Sequence, residues 1–331
     1  MHKMSNLEYS YIAGELGRLL AGKHFSRLRK IGESLYRMKI GSSEIIAELG
    51  VRIHETRRIE DSREGDKFTD KAEKELDNAR LQQIEQVQGD RILSFIFDKG
   101  SLVFEMFGQG NAMLVKDGKI VCAHRYESWS DREIRAGAEY RPPKTAPTDR
   151  LEATDKYIIV SLMKLPIGKD YALEALARCG IDEKTPGTAL SGNKLMELEM
   201  AIAAIKADAR PVAFVKDGKI ADFALVPLSK HKDLEVRVFP TLSEAADEYY
   251  SKLEAPNPKL EKLLERLGKQ KERLSALREE EKDMKAKGDY IYGNYARAEE
   301  AIALAKKGGF AELEKLGAKI DKKEKSVEID L

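Results

Sequence analysis

The amino-acid sequence predicts an α+β chain, with a β-rich first half, a helical insert and a long helical arm. Three observations predict it. Four short apolar runs between Ile92 and His124 are separated by turn residues. Apolar residues recur at helical spacing from Asp155 to Ile205. Leucines recur at heptad spacing beyond Pro258.

The order of elements follows from local pattern. Leu7 to Leu20 carries Tyr9, Ile12, Ala13, Leu16 and Leu20 at helical intervals, and Ser5 with Glu8 has the form of a capping box. Strand-like runs follow at Ser34–Ile40 and Glu44–Ile53. Arg57–Asp66 is polar and loop-like, and Lys67–Leu81 fits a helix. Ile92–Phe97, Leu102–Phe107, Ala112–Val115 and Ile120–His124 then read as an antiparallel meander. Lys99-Gly100 and Asp117-Gly118 supply two of its turns.

The segment Arg141-Pro142-Pro143 through Arg150 reads as a linker. Ala172 to Gly180, then Thr185-Pro186-Gly187 to Leu195, reads as helix, short turn, helix. Strands return at Pro211–Val215 and Phe223–Val226, and Phe239–Leu253 is helical. The string Val-Lys-Asp-Gly-Lys-Ile occurs at Val115–Ile120 and again at Val215–Ile220, and one shared hairpin turn accounts for it.

After Pro258, Leu260, Leu267 and Leu274 fall on one heptad position, with Leu263, Leu277 and Met284 on the other. That pattern predicts a coiled-coil arm of roughly 40 Å at ~1.5 Å per residue. Gly288-Asp289 interrupts it, a second helix spans Ile291–Lys306, and Ile320–Ile329 reads as a lone strand. The resulting domain plan is 1–150, 151–208, 209–255, 256–308 and 309–331.

Length and composition bound the function. The 331 residues allow two or three domains. A charged fraction of 35% exceeds the ordinary ~25% and points to heat adaptation or exposed helical arms. The net charge of +1 means that any nucleic-acid contact must come from a local patch. Cys122 and Cys179 are distant in sequence, no signal-peptide pattern precedes the first helix, and no apolar run approaches ~18 residues. A cytoplasmic, reducing location without a membrane partner is expected.

Catalytic signatures fail on their physical requirements. Gly17 to Lys23 reads G-R-L-L-A-G-K, but His24 stands where a P-loop needs Ser or Thr, and the run lies in a helix. Gly108-Gln109-Gly110 lacks the third glycine of a dinucleotide turn, because Met113 holds that place. Cys122 and His124 are one pair of potential ligands, and no second pair closes a zinc site. No enzyme activity, cofactor or metal is expected.

Several stretches in order resemble the NFACT family, also called fibronectin-binding protein A-like proteins. They are Ser5-Asn6-Leu7-Glu8, Val51-Arg52-Ile53-His54-Glu55-Thr56, Gly89-Asp90-Arg91-Ile92 and Phe107-Gly108-Gln109-Gly110-Asn111. Arg132-Glu133-Ile134 through Gly137, Tyr140, Pro142 and Pro143 is similar to a further motif, as is Phe239-Pro240-Thr241-Leu242 through Ala245, Asp247, Glu248 and Tyr249. The resemblance covers nearly the whole chain.

It implies an N-terminal domain related to formamidopyrimidine-type DNA glycosylases, a helix-hairpin-helix insertion and a coiled-coil arm. It also implies a ribosome-associated quality-control role: holding tRNA, in particular alanyl-tRNA, on a stalled large ribosomal subunit while alanine is added to the nascent chain. The family's acid–arginine pair for tRNA maps onto Asp90 and Arg91, and its N-terminal acidic residue onto Glu8. The chain departs from the family's basic stretch after Phe68, where Thr69-Asp70-Lys71-Ala72-Glu73 is more acidic. It also stops at Leu331, before the family's C-terminal RNA-binding domain. A fragment, a separate polypeptide carrying that domain, or a reduced member would each explain this.

An Asp-Arg step at the start of a strand suits base recognition, because Arg donates in a plane and Asp accepts from base amino groups. The alternative is an ordinary turn salt bridge worth under ~1 kcal/mol. Arg52, His54, Asn111, Arg125 and Arg132 are candidate RNA contacts on a basic face, and Glu8 has a second reading as a helix cap. The runner-up function is a glycosylase-related repair protein, but His2 stands where such enzymes use a proline amine. A surface adhesin, suggested by the family's older name, finds no secretion signal in support.

Overall fold

Ser5 starts the first helix as its spacing implies. Its hydroxyl accepts from the Glu8 N–H, and the Glu8 carboxylate accepts from the Ser5 N–H, so two orphan donors at the helix start are satisfied reciprocally. In the computed structural model, residues 1–58, 66–144, 147–148, 150–253, 258–321 and 326–328 are described. They fall into two units, Met1–Glu254 and Ala255–Leu331.

Helix α1 (Asn6–Leu20) is followed by β1 (Phe25–Lys30), β2 (Leu35–Ile40), β3 (Ser43–Glu48) and β4 (Arg52–Thr56). These four strands form one antiparallel sheet in chain order. The run Glu44–Ile53, expected as a single strand, is two. Gly50 adopts φ +76°, which reverses the chain between β3 and β4. The loop expected over Arg57–Asp66 lies mostly outside the described residues.

Helix α2 (Lys67–Glu75) is capped by Asp66 and Thr69. It ends before the expected Leu81, because the chain turns through Asn78 at φ +53° into β5 (Leu81–Gln86). Next come β6 (Ile92–Phe97), β7 (Gly100–Glu105), β8 (Asn111–Lys116) and β9 (Lys119–Ala123). They complete a five-stranded antiparallel meander in the order β5-β6-β7-β8-β9. A short hairpin of β10 (Glu127–Ser128) and β11 (Glu133–Ile134) lies beyond it.

The helical insert contains α3 (Ile158–Leu162), α4 (Lys169–Arg178) and α5 (Gly192–Ala207). The connection from α4 to α5 carries a 3-10 turn at Gly187–Ala189. Strands β12 (Val212–Lys216), β13 (Lys219–Ala224) and β14 (Glu235–Val238) form a sheet ordered β13-β12-β14. Helix α6 (Leu242–Leu253) follows and packs on β4 and β13.

Both Val-Lys-Asp-Gly-Lys-Ile strings make the same hairpin. Asp117 and Asp217 sit at φ +50°, and the glycines after them at +74° and +72°. Each hairpin pairs its flanking lysines and shifts register one residue before its valine.

The second unit contains α7 (Pro258–Gly293), α8 (Tyr295–Lys306), α9 (Phe310–Lys315), β15 (Lys319–Asp321) and β16 (Ser326–Glu328). Gly288-Asp289 does not break α7, and the interruption falls at Asn294. The tail is not a lone strand, since β15 and β16 pair as a hairpin. Leu267, Leu274, Leu277 and Met284 on the heptad positions are exposed. The side chains of Leu260 and Leu263 lie outside the described residues.

The main core lies in the first unit. Helix α1 inserts Tyr9, Ile12, Leu16 and Leu20, all fully buried, among residues of both large sheets. Leucines and isoleucines of this kind contribute ~1.5–3 kcal/mol each on burial. Helix α1 therefore ties the first sheet to the meander, and the residues at its start are packed against the turn that precedes β6.

Candidate nucleic-acid interface

Asp90 and Arg91 connect a 3-10 turn (Val87–Gly89) to β6. The backbone there is held from behind. The Gln86 amide donates to the carbonyl oxygens of Asn6 and Asp90, both at 2.8 Å. The Asn6 amide donates to the Gly89 carbonyl at 3.0 Å and to Asp90 Oδ1 at 3.4 Å. Asp90 Oδ1 also accepts from the Arg91 N–H at 2.7 Å. Both side chains are part-exposed. Among the described residues, the Arg91 guanidinium makes no hydrogen bond or ion pair. The two charges are therefore not consumed by each other, and a fixed backbone presents them.

Two hollows are lined by residues near this step in the fold, one by Gly89 and the other by Glu105. One, of about 370 Å³, lies along α1 and includes Tyr11, Arg18, Gln86, Gly89 and Lys206. The other, of about 410 Å³, is walled by the β7–β8 turn and the β10–β11 hairpin and includes Glu105, Gln109, Trp129 and Arg132. Glu105 is the register partner of Ile92, the residue after Arg91.

The second hollow is built on a buried ion pair. Glu105 is 2% exposed and accepts from Arg132 at 2.5 and 2.9 Å, one bond to each oxygen. Tyr140 donates its hydroxyl to the same carboxylate at 3.2 Å. Burial first, then Glu105 and more weakly Asp90, push the Tyr140 phenol up, so it stays a neutral donor. The Arg132 guanidinium also lies 4.6 Å from the centroid of the Trp129 ring.

The motif Phe107 to Asn111 shapes the floor. Gly110 has φ +69°, and a Cβ there would lie 2.4 Å from the Gly50 nitrogen. A Cβ on Gly50 would lie 2.7 Å from the Gly108 carbonyl oxygen. The two turns touch backbone to backbone, which is why both are glycine. Asn111 is buried, accepts from the N–H groups of Ala112 and Arg125 and donates to the Arg125 carbonyl. Arg125 binds the Gln109 side chain and the Gly110 carbonyl.

The remaining expected residues are elsewhere. Glu8, expected as a tRNA contact, is 1% exposed. It accepts from Tyr171 at 2.8 Å and Ser5 N–H at 2.6 Å, and pairs with His2 at 3.3 Å. Burial alone would raise it, but His2 and these hydrogen bonds hold its carboxyl below the usual range. Its carboxylate is engaged by partners within the chain.

Arg52 and His54, expected on a basic face, are 2% and 0% exposed. Arg52 pairs with Glu48 at 2.9 Å and lies 4.1 Å above the Tyr250 ring, on which His54 also stacks. Burial first, then Arg52, lowers His54 to about 4. Alternation along β4 turns both inward, because Thr56 with Arg52 and His54 shares one face that α6 covers. Asn111 and Arg132 are likewise structural anchors before they are surface groups. Only Asp90, Arg91 and part of Arg125 face outward.

Trp129 was not among the expected residues. The signal was present: it is the single tryptophan of the sequence, set in the polar string Glu127-Ser128-Trp129-Ser130-Asp131. Cys122 and His124 do not form a ligand pair. His124 bonds the Tyr36 hydroxyl at 2.6 Å, and no metal-binding cluster occurs among the described residues.

Residues 37–330 match the family of NFACT N-terminal and middle domains. The chain belongs to the NFACT family. It is 31% identical over 265 residues to the archaeal Rqc2 homolog aRqcH of Methanocaldococcus jannaschii, covering 69% of this chain. The match spans 39% of that relative's length. The fold is similar to that of the fibrinogen binding protein from Staphylococcus aureus, with TM-score 0.58 and 14% identity over 74% of this chain and 98% of that one. It is also similar to the N-terminal part of the fibronectin/fibrinogen-binding protein from Streptococcus suis, with TM-score 0.55 and 19% identity over 76% and 100%. At such identities these two report on fold alone. No helix among the described residues is long and apolar enough to cross a membrane.

Proposed function

We propose that this NFACT chain is a ribosome-associated quality-control factor that binds tRNA on a stalled large ribosomal subunit and supports alanine tailing of the nascent chain. Membership of the family and the Rqc2 homolog support the quality-control role. The observation that carries the tRNA contact is the Asp90–Arg91 step, whose backbone is fixed from behind while its side chains remain open.

In this reading Arg91 donates to a phosphate or a base edge, and Asp90 accepts from a base amino group, as in a single-stranded loop. Arg18 and Lys206 in the hollow along α1 offer charge to the neighbouring backbone. Glu8 contributes indirectly, by holding the first residues beside Asn6. Alanyl-tRNA and the RNA and proteins of the large subunit are the expected partners, with a separate polypeptide bearing the RNA-binding domain as a further one. The glycosylase-type ancestry of the β-rich part, helix-hairpin-helix character for residues 151–208, a coiled-coil arm and a cytoplasmic, non-enzymatic role belong to the same reading.

The test is Asp90→Ala combined with Arg91→Ala. The double variant should keep its circular dichroism spectrum and lose tRNA co-purification. Unchanged tRNA association would refute the site assignment.

A further inference from the structure

We propose that the hollow beside Trp129 is a stacking site for one unpaired base of single-stranded RNA. This rests on the reading of the chain as a tRNA-binding factor, and adds which part of the RNA is held there and how.

The ring is presented rather than stored. Trp129 is 44% exposed on a chain whose other large aromatics are mostly interior in this unit. Its backbone N–H is tied to the Arg132 carbonyl at 2.9 Å, closing the β10–β11 hairpin. Arg132 stands 4.6 Å from the ring centroid, and Arg132 is itself clamped by the buried Glu105. A ring oriented by a fixed guanidinium loses little freedom when a base stacks on it, so more of the stacking energy appears as affinity.

The charge of the hollow decides what it recognises. Arg125, Arg132 and Lys144 are balanced by Glu105, Glu127 and Asp131. Glu105 is already charge-compensated by Arg132 and hydrogen-bonded by Tyr140. A locally neutral, aromatic-floored site does not concentrate phosphate, whose capture needs uncompensated cations. It suits a flat, neutral, heteroaromatic group with polar edges, and the Gln109 amide, Glu127 carboxylate and Lys144 ammonium supply partners for such edges. The volume of about 410 Å³ lies within the range of small-ligand pockets.

Position supplies the second argument. Glu105, which anchors Arg132, pairs in register with Ile92. The Arg91 carbonyl accepts from the Met106 N–H at 2.7 Å. The open Asp90–Arg91 step and the Trp129 hollow therefore lie at the same end of the meander strands, where one RNA strand would engage both.

Trp129 is the sole tryptophan, so its emission reports on this hollow alone. The full chain would be titrated with an unmodified tRNA transcript and, separately, with a mixed-sequence single-stranded RNA heptamer. Binding would be followed in parallel by anisotropy of labelled RNA. Stacking predicts quenching of Trp129 by both RNAs and none by a blunt RNA duplex. Trp129→Ala should weaken heptamer binding on the order of 10- to 100-fold with an unchanged salt slope, and Trp129→Phe should restore most of it. Arg91→Ala should instead lower the salt slope by about one.

If tRNA binds and Trp129 emission does not move, the stacking site is overturned while the proposed function stands. If neither RNA binds, both fall. Equal losses in the Phe and Ala variants, or quenching by a proline-rich peptide in place of RNA, would also overturn the site.

Discussion

His2 is held between two carboxylates, at 2.7 Å from Asp222 and 3.3 Å from Glu8, while its own carbonyl accepts from the Tyr250 hydroxyl. Burial opposes its charge, but Glu8 and Asp222 outweigh it and carry the imidazole up to about 10. The native state thus binds this proton more tightly than the unfolded chain, whose histidine titrates near ~6.5. The stabilisation is complete below that pH and is lost as pH rises through about 10. His54 acts in the opposite direction: kept neutral down to about 4, it stabilises fully above ~6.5 and loses that contribution on acidification. The urea midpoint of the chain should therefore fall on both sides of roughly pH 6.5. His2→Gln should flatten the alkaline limb between about pH 7 and 10 and leave the acid limb in place. An alkaline limb as steep in the variant as in the parent would mean that other groups govern it. Glu8 shows the same point about legibility. Its place in a capping box was readable from four consecutive residues, whereas its pairing with His2 and Tyr171 joins positions far apart and had no local signal.

Among the elements, the β3–β4 and β7–β8 turns are tightly coupled. Gly50 and Gly110 meet with no room for a side chain between them, and both have positive φ. Gly110→Ala combines a left-handed backbone penalty with a backbone clash, and should cost about 2–4 kcal/mol, measured by denaturant unfolding. It should also disturb the floor of the Trp129 hollow, since Arg125 binds the Gly110 carbonyl. Gly118→Ala, with the same sign of φ but nothing near its Cβ, is the control and should cost only ~1 kcal/mol. Strand prediction succeeded where apolar residues alternate or run together, as in β6 to β9. It failed for β1, β5 and β14, whose sequences Phe-Ser-Arg-Leu-Arg-Lys, Leu-Gln-Gln-Ile-Glu-Gln and Glu-Val-Arg-Val are largely polar. Each of these is an outer strand of its sheet and buries at most two apolar side chains, so pairing to a neighbour defines it more than any apolar pattern does.

At the scale of the molecule, the large core lies in Met1–Glu254, and among the described residues of the second unit the buried cluster is a small one around Ala301, Leu313 and Ala318. A chain cut to residues 1–254 should fold by itself and melt within a few degrees of the full chain, followed by circular dichroism at a β-sheet wavelength. Failure to fold would show that the arm contributes to the core. The α+β class, the starts of α1 and α2 and the twin Asp-Gly hairpins were determined by the sequence itself, because capping, periodicity and turn chemistry act over a few residues. So was the placement of Asp90 and Arg91 at a strand entrance. Only tertiary structure decided that Arg52 and His54 lie under α6, that Glu105 holds Arg132, and that Trp129 borders an open hollow. The first depends on which face of β4 another element covers, and a one-residue shift in pairing register would reverse it; the other two depend on contacts between segments far apart in sequence.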